Sequence, residues 1–281
     1  MHESTRPVDL YLDLLKQVLT RNIVPERYRA LSDVGGPTKG VYKALLAVVG
    51  GALARKNLEI VRRYQVDWEK REQGSEWPPD AETMVGLKRL DNVQACIADV
   101  LRDGIPGDFI EAGTWRGGCS IFMRAALDAF GDTTRIVWVA DSFEGLPKPD
   151  PQKYPRDAGD VHWTNNDYLG VSLETVQGNF KRYGFLDDRV RFLKGWFKDT
   201  LPIAPISRLA IVRLDGDMYE STIQALDALY PKLSPGGYLI IDDYGLPGCR
   251  AAVDDYRAAH EIQEEVRIVD WSGVYWRRSS A

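Results

Sequence analysis

The run Val266-Arg267-Ile268-Val269-Asp270-Trp271-Ser272-Gly273-Val274-Tyr275-Trp276-Arg277 decides how the chain is built. Its two ends are strand-like, and only Asp270-Trp271-Ser272-Gly273 separates them, a hairpin-length connection. A parallel partner would need a crossover of a dozen or more residues, so the last strand must be antiparallel. Working back from this hairpin, strand and helix alternate to Gly107. Helix 249–263 follows strand 237–241; helix 219–233, closed by Ser234-Pro235-Gly236-Gly237, follows strand 209–214; strand 190–193 follows helix 173–183. Strand 135–140 ends on Asp141, and strand 108–111 leads through a glycine loop into helix 120–129. This pattern predicts an α/β fold with a mostly parallel sheet and a C-terminal antiparallel strand.

Before Gly107 the periodicity is helical. Leu10, Leu14, Leu15, Val18 and Leu19 recur at helical spacing until Pro25, and residues 41–64 and 82–101 read as further helices. Gly35-Gly36-Pro37 breaks the chain between the first two, and residues 67–80 read as a mobile loop. Residues 1–100 are therefore expected to form an N-terminal helical extension serving oligomerisation or as a lid. Residues 101–281 form the main domain. A long proline-rich excursion, residues 144–166, reads as a functional lid or a disordered insert.

Composition narrows the class. A hydrophobic fraction of 44% and a charged fraction of 27% over 281 residues suit a globular protein. A net charge of -5 argues against a nucleic-acid surface. Cys96, Cys119 and Cys249 show no CxxC spacing and read as reduced thiols of a cytoplasmic protein. Met1-His2-Glu3-Ser4 lacks a secretory pattern, and the longest apolar stretch, residues 41–54, holds Lys43 and is too short to span a bilayer. No membrane partner is expected.

Two stretches carry chemistry. Glu111-Ala112-Gly113-Thr114-Trp115-Arg116-Gly117-Gly118 follows the first strand of the main domain and opens a helix, where glycines let backbone approach a ligand. It is not the GxGxxG fingerprint. A carboxylate before the first glycine repels a pyrophosphate and suits the ammonium of S-adenosylmethionine, directly or through water. Asp141 is placed to accept from ribose hydroxyls. The alternative is that Glu111 and Asp141 only cap helices. The second stretch is Leu209-Ala210-Ile211-Val212-Arg213-Leu214-Asp215-Gly216-Asp217, answered by Ile240-Ile241-Asp242-Asp243. Carboxylates gathered at two adjacent strand ends repel unless neutralised, and all-oxygen ligands favour Mg²⁺ or another hard divalent ion. Asp217 also has a plainer reading, as N-cap of the next helix.

A mostly parallel sheet closed by an antiparallel strand is the layout of a Rossmann-like class I methyltransferase sheet. The motifs Glu111–Gly118, Asp141-Ser142-Phe143-Glu144-Gly145-Leu146-Pro147, Leu214-Asp215-Gly216-Asp217-Met218-Tyr219-Glu220-Ser221-Thr222 and Ile241-Asp242-Asp243-Tyr244 together resemble the macrocin O-methyltransferase family, which methylates sugar hydroxyls of natural products. The resemblance runs from about Thr83 to about residue 260. It implies S-adenosylmethionine, Mg²⁺ and a homodimer or higher homo-oligomer. By position, Asp215, Asp242 and Asp243 are the expected metal ligands and Asp217 the candidate base, with His162 its rival. Thr83, Glu111, Gly113, Thr114, Trp115, Asp141, Ser142 and Trp196 are the expected cofactor set, Trp196 having core packing as its alternative. Tyr154, Trp163 and Tyr168 suit an aromatic lid, or else a satellite cluster beneath a loop, and His260 reads as structural.

The expectation is a metal- and S-adenosylmethionine-dependent O-methyltransferase acting on a deoxysugar of a glycosylated secondary metabolite. The metal would lower the pKa of the sugar hydroxyl, and a carboxylate would take its proton. The rivals are a catechol- or phenol-type O-methyltransferase, an NAD-dependent oxidoreductase, which loop and hairpin oppose, and a non-catalytic scaffold, which has no need of the acidic set.

Overall fold

A computed structural model describes residues 6–30 and 48–279. Its seven-stranded sheet is built from β1 (Asp108–Ala112), β2 (Val137–Asp141), β3 (Val190–Lys194), β4 (Leu209–Leu214), β5 (Leu233–Ile241), β6 (Arg267–Ile268) and β7 (Val274–Arg277). The strand order is 3-2-1-4-5-7-6. Strands β3, β2, β1, β4 and β5 pair in parallel, and β7 lies antiparallel between β5 and β6. The hairpin therefore closes the sheet as its length predicts. Chain direction across the sheet reverses between β1 and β4, which is where open α/β sheets bind ligands.

Period-two alternation sends successive strand residues to two cores. Phe109, Val137, Val139 and Ile240 face the first, with Leu12, Leu15 and Leu19 of α1 (Pro7–Leu19), Val93 and Ile97 of α2 (Leu87–Arg102), Ile121 of α3 (Gly118–Ala129) and Phe180 of α4 (Leu173–Arg182). Ile110, Trp138, Val212 and Leu239 face the second, with Leu226 of α5 (Tyr219–Leu229), Val253 of α6 (Pro247–Ala259) and Trp276. Helices α1 and α2 thus pack into the same core as the sheet's own helices.

Several expectations need correction. Of the described residues 48–64, those at 48–54 are helical, while residues 41–47 and Gly35-Gly36-Pro37 lie outside the described residues. Asn57, with φ 56°, ends the helical turn. Val61–Arg63 then pairs antiparallel with Tyr28–Ala30. That pairing is non-local and leaves no mark on helical periodicity. Residues 67–80 are not an unattached loop. Asp67 caps a short helix, Trp68–Glu72, and the buried Arg71 guanidinium bridges Glu26 at 2.9 Å and Glu76 at 2.8 Å. Helix α2 starts five residues later than expected, because the Glu82 carbonyl is bonded to Gly118 instead. Strand β5 takes in Ser234-Pro235-Gly236 as a bulge: Leu233 pairs with Leu209 and Tyr238 with Ile211.

Candidate active site

The glycine loop after β1 folds against the end of β4. Gly113, at φ 89°, donates its N–H to the Ala140 carbonyl at 2.8 Å. A Cβ there would fall 1.7 Å from the Asp215 carbonyl oxygen, so only glycine lets the loop touch the acidic turn. Asp141, ending β2, accepts the Thr114 N–H at 2.8 Å and the Phe143 N–H at 2.7 Å. Burial raises its pKa, against the pull of those amides. Neither Asp141 nor Glu111 caps a helix; the residue before α3 is Gly117.

Glu111 stands directly across from Arg213 in the β1–β4 register, at 2.6 Å. Its other oxygen accepts from Ser120 and, at 3.1 Å, from Thr114. Burial pushes its pKa up, and Arg213 opposes that. The same guanidinium reaches Asp215 at 3.0 Å and bonds Asp242, whose second oxygen bonds Arg89 of α2. The cations demanded by the strand ends are thus in part arginines.

They do not satisfy every carboxylate. For Asp242 burial works upward, but Arg213 and Arg89 outweigh it and hold the pKa below the usual range. Asp243 goes well above it, from burial and then the charges of Asp217 and Asp215. Asp215 is pushed up to about 8 by burial and by Asp242, against Arg213. Asp217 is pushed up to about 6, burial leading and His162 pulling down. Carboxylate oxygens of Asp215, Asp242 and Asp243 lie within 4.8 Å of one another. Surplus negative charge on hard oxygen ligands fits a divalent cation.

A cavity of about 440 Å³ opens over this junction, in the size range of small-molecule sites. Gly113, Trp115, Asp141, Ser142, Trp196, Asp215 and Asp217 line it. Thr83, Glu111, Thr114, Asp242 and Asp243 are among the expected residues that do not. Thr83 is buried, its hydroxyl accepting the Val85 N–H at 3.0 Å. Trp115, Phe143 and Asp217 are non-glycine residues with φ of 49°, 58° and 56°. Left-handed backbone costs on the order of 1–3 kcal/mol each and clusters at functional sites. The Asp217 N–H donates to Asp243 at 3.1 Å, and Asp217 does not cap α5.

The excursion closes one side. Its cavity residues are Gly145, Leu146, Pro147, Lys148, Asp150 and Lys153, none of them aromatic. The expected aromatic lid instead anchors the loop: Tyr154 lies on Tyr219, Lys148 sits over Trp163, and Tyr168 stacks on Trp77 at 5.3 Å. The Asp160 carboxylate accepts from His162 Nδ1 at 3.0 Å. Burial lowers its pKa, but Asp160 outweighs this and the net direction is up. Sequence reasoning missed Arg213, Arg89, Lys198 and Gln224. An arginine inside an otherwise apolar strand was a signal open to it.

Sheet order, terminal antiparallel strand and a cavity at the switch point define a class I methyltransferase. Residues 8–278 match the macrocin-O-methyltransferase (TylF) family, and the chain belongs to it as an O-methyltransferase. It is 50% identical over 281 residues to 8-demethyl-8-(2,3-dimethoxy-alpha-L-rhamnosyl)-tetracenomycin-C 4'-O-methyltransferase of Streptomyces olivaceus, covering 100% of this chain and 96% of the relative. It is 46% identical to mycinamicin III 3''-O-methyltransferase of Micromonospora griseorubida, covering 97% and 98%. The solved structure of the O-methyltransferase NovP superposes with a TM-score of 0.82 at 42% identity, covering 97% of this chain and 100% of that one.

Proposed function

We propose that this chain transfers the methyl group of S-adenosylmethionine to a sugar hydroxyl of a glycosylated antibiotic, with a divalent metal such as Mg²⁺. The observation that carries the reading is the contact of Gly113 with the Asp215 carbonyl, which joins the cofactor loop and the acidic turn in one cavity. One relative is named for 4'-O-methylation of a rhamnosyl-bearing tetracenomycin and the other for 3''-O-methylation of mycinamicin III.

Gly113, Trp115, Asp141, Ser142 and Trp196 bind and orient the cofactor. Glu111 would act indirectly, holding Thr114 and Arg213 in place. Asp215, Asp242 and Asp243 would hold the metal, which would supply Lewis acidity towards the acceptor hydroxyl. Asp217 takes the proton of that hydroxyl on its carboxylate. With a pKa of about 6 it is ionised at neutral pH yet basic enough to accept. The cavity walls would align the attacking oxygen with the methyl group. Three buried free cysteines support a cytoplasmic enzyme. No helix of the described residues is long and apolar enough to cross a membrane. The exposed Leu10, Tyr11, Leu14 and Val18 of α1 support a homo-oligomer.

The test offers two acceptors, the rhamnosylated tetracenomycin named for the Streptomyces relative and mycinamicin III, with mass-spectrometric detection of the methylated product. The expected result is turnover by the wild type, and in Asp217→Asn its loss by roughly 10²–10⁴-fold with acceptor binding kept. Turnover surviving in that variant moves the base elsewhere, with His162 next. Methylation of free catechols in preference to both glycosides would favour the phenol-type reading.

A further inference from the structure

We propose that Asp157 is a positioning residue for methyl transfer: through it the excursion fixes the first turn of α5, and with that the Asp215-Gly216-Asp217 turn. The proposal rests on the reading that the acceptor binds beside Asp217.

Helix α5 begins directly after the acidic turn, and its N-cap residue, Met218, makes no side-chain cap. The first amides of a helix have no partner within it. Asp157 supplies what is missing from 62 residues away. Its Oδ1 accepts the Tyr219 N–H at 2.7 Å and its Oδ2 accepts the Glu220 N–H at 2.9 Å. The residue is 2% exposed, and no arginine, lysine or histidine of the described residues pairs with it. The helix terminus is therefore its counter-charge. Room for this approach depends on Gly248 of α6. A Cβ there would lie 3.1 Å from the Tyr219 nitrogen and 3.2 Å from the Asp157 Oδ1.

The neighbouring contacts run the same way. The Tyr154 ring lies 6.2 Å from that of Tyr219, and its hydroxyl accepts from Gln224 at 3.2 Å. Gln224 and Lys153 both line the cavity. At the excursion's other end Asn166 accepts the Leu146 N–H and donates to the Leu146 carbonyl, each at 2.8 Å. The cavity wall from Leu146 to Lys153 is thus tied at one end to itself and at the other to α5. Releasing Asp157 removes that wall and uncaps the helix next to Asp217 in a single event. The cofactor half of the cavity, built on β1, β2 and the segment at Trp196, does not depend on this clamp.

The experiment compares wild type with Asp157→Ala, Asp157→Asn and Gly248→Ala, which reaches the same clamp from the other side. Hydrogen exchange is followed over residues 150–165 and 217–224 without ligand, S-adenosylhomocysteine binding by calorimetry, and kinetics with the two glycoside acceptors. The expected result for Asp157→Ala is faster exchange in both segments together and a fall in kcat/KM of roughly tenfold to a hundredfold, with S-adenosylhomocysteine affinity kept. Asp157→Asn, which retains one acceptor oxygen, should fall between, and Gly248→Ala should reproduce the coupled exchange. Exchange rising in 150–165 alone, an unchanged kcat/KM, or S-adenosylhomocysteine binding lost in step with global stability would each overturn the proposal. Exchange needs no acceptor, so a wild type that methylates neither glycoside would sink the acceptor reading and leave exchange to decide the clamp.

Discussion

Arg213 is wholly buried in β4, with Glu111 of β1 on one side, Asp242 beyond β5 on the other, and Asp215 two residues ahead. A buried ion costs several kcal/mol to desolvate, and removing one partner of such a set costs about 3–5 kcal/mol because the others stay buried and uncompensated. Arg213→Met should therefore lower the urea-unfolding free energy by about 3–5 kcal/mol. Arg213→Lys should fall short of wild type as well, since one ammonium cannot fork towards three carboxylates as a planar guanidinium does. Adding Glu111→Gln to Arg213→Met should recover part of the loss, the orphaned charge having gone. An unaltered urea midpoint in Arg213→Met would mean that something else holds the strand ends together. The sequence made half of this network visible. Carboxylates at adjacent strand ends announce a need for positive charge, but reading them alone assigns all of it to a metal. The arginine that meets part of the need stands two residues before Asp215 in the same strand.

At the scale of elements, what local periodicity encodes could be read, and what depends on a distant partner could not. Strands β1, β2 and β4 carry apolar residues towards both covered faces, and their ends fall within two residues of expectation. The ribbon of Tyr28–Ala30 with Val61–Arg63 and the cap that Asp157 gives α5 join residues far apart in the chain, and no window of sequence contains both partners. Helix α1 shows a subtler case. Its apolar positions read as one face, yet Leu15 and Leu19 face the core while Leu10 and Leu14 are 58% and 56% exposed. With Tyr11 and Val18 they form an outer stripe that a second copy of the chain would cover. Light scattering should give at least a dimer mass for the wild type and a monomer mass for Leu10→Glu/Leu14→Glu, with the melting temperature of the monomer core little changed. A monomeric wild type would remove the oligomer from the proposed function.

For the whole molecule, the sheet brings to its switch point more negative charge than Arg213 and Arg89 balance, and the remainder makes folding depend on pH. Asp215 and Asp217 have folded-state pKa values raised from 3.8 to about 8 and about 6. The folded state thus holds protons that the unfolded chain has released. The stability these two groups contribute is complete below pH 3.8 and is lost as pH rises through about 6 and then about 8. Metal-free protein should accordingly melt at lower temperature at pH 8.5 than at pH 6. A bound divalent ion replaces those protons, so its stabilisation should grow across the same window, with protons released on binding. An ion at about a hundred times its dissociation constant adds about 2.7 kcal/mol to the folded state. The expected pattern is a melting-temperature rise with MgCl₂ that is large at pH 8.5, small at pH 6, and nearly absent in Asp243→Asn at both. The mutation removes a ligand whose own pKa the fold drives upward, so it should also make the metal-free protein more stable at pH 8.5. A wild type indifferent to Mg²⁺ and Mn²⁺ at pH 8.5 would show that the surplus carboxylates hold no ion, leaving Asp217 as base without a metal beside it.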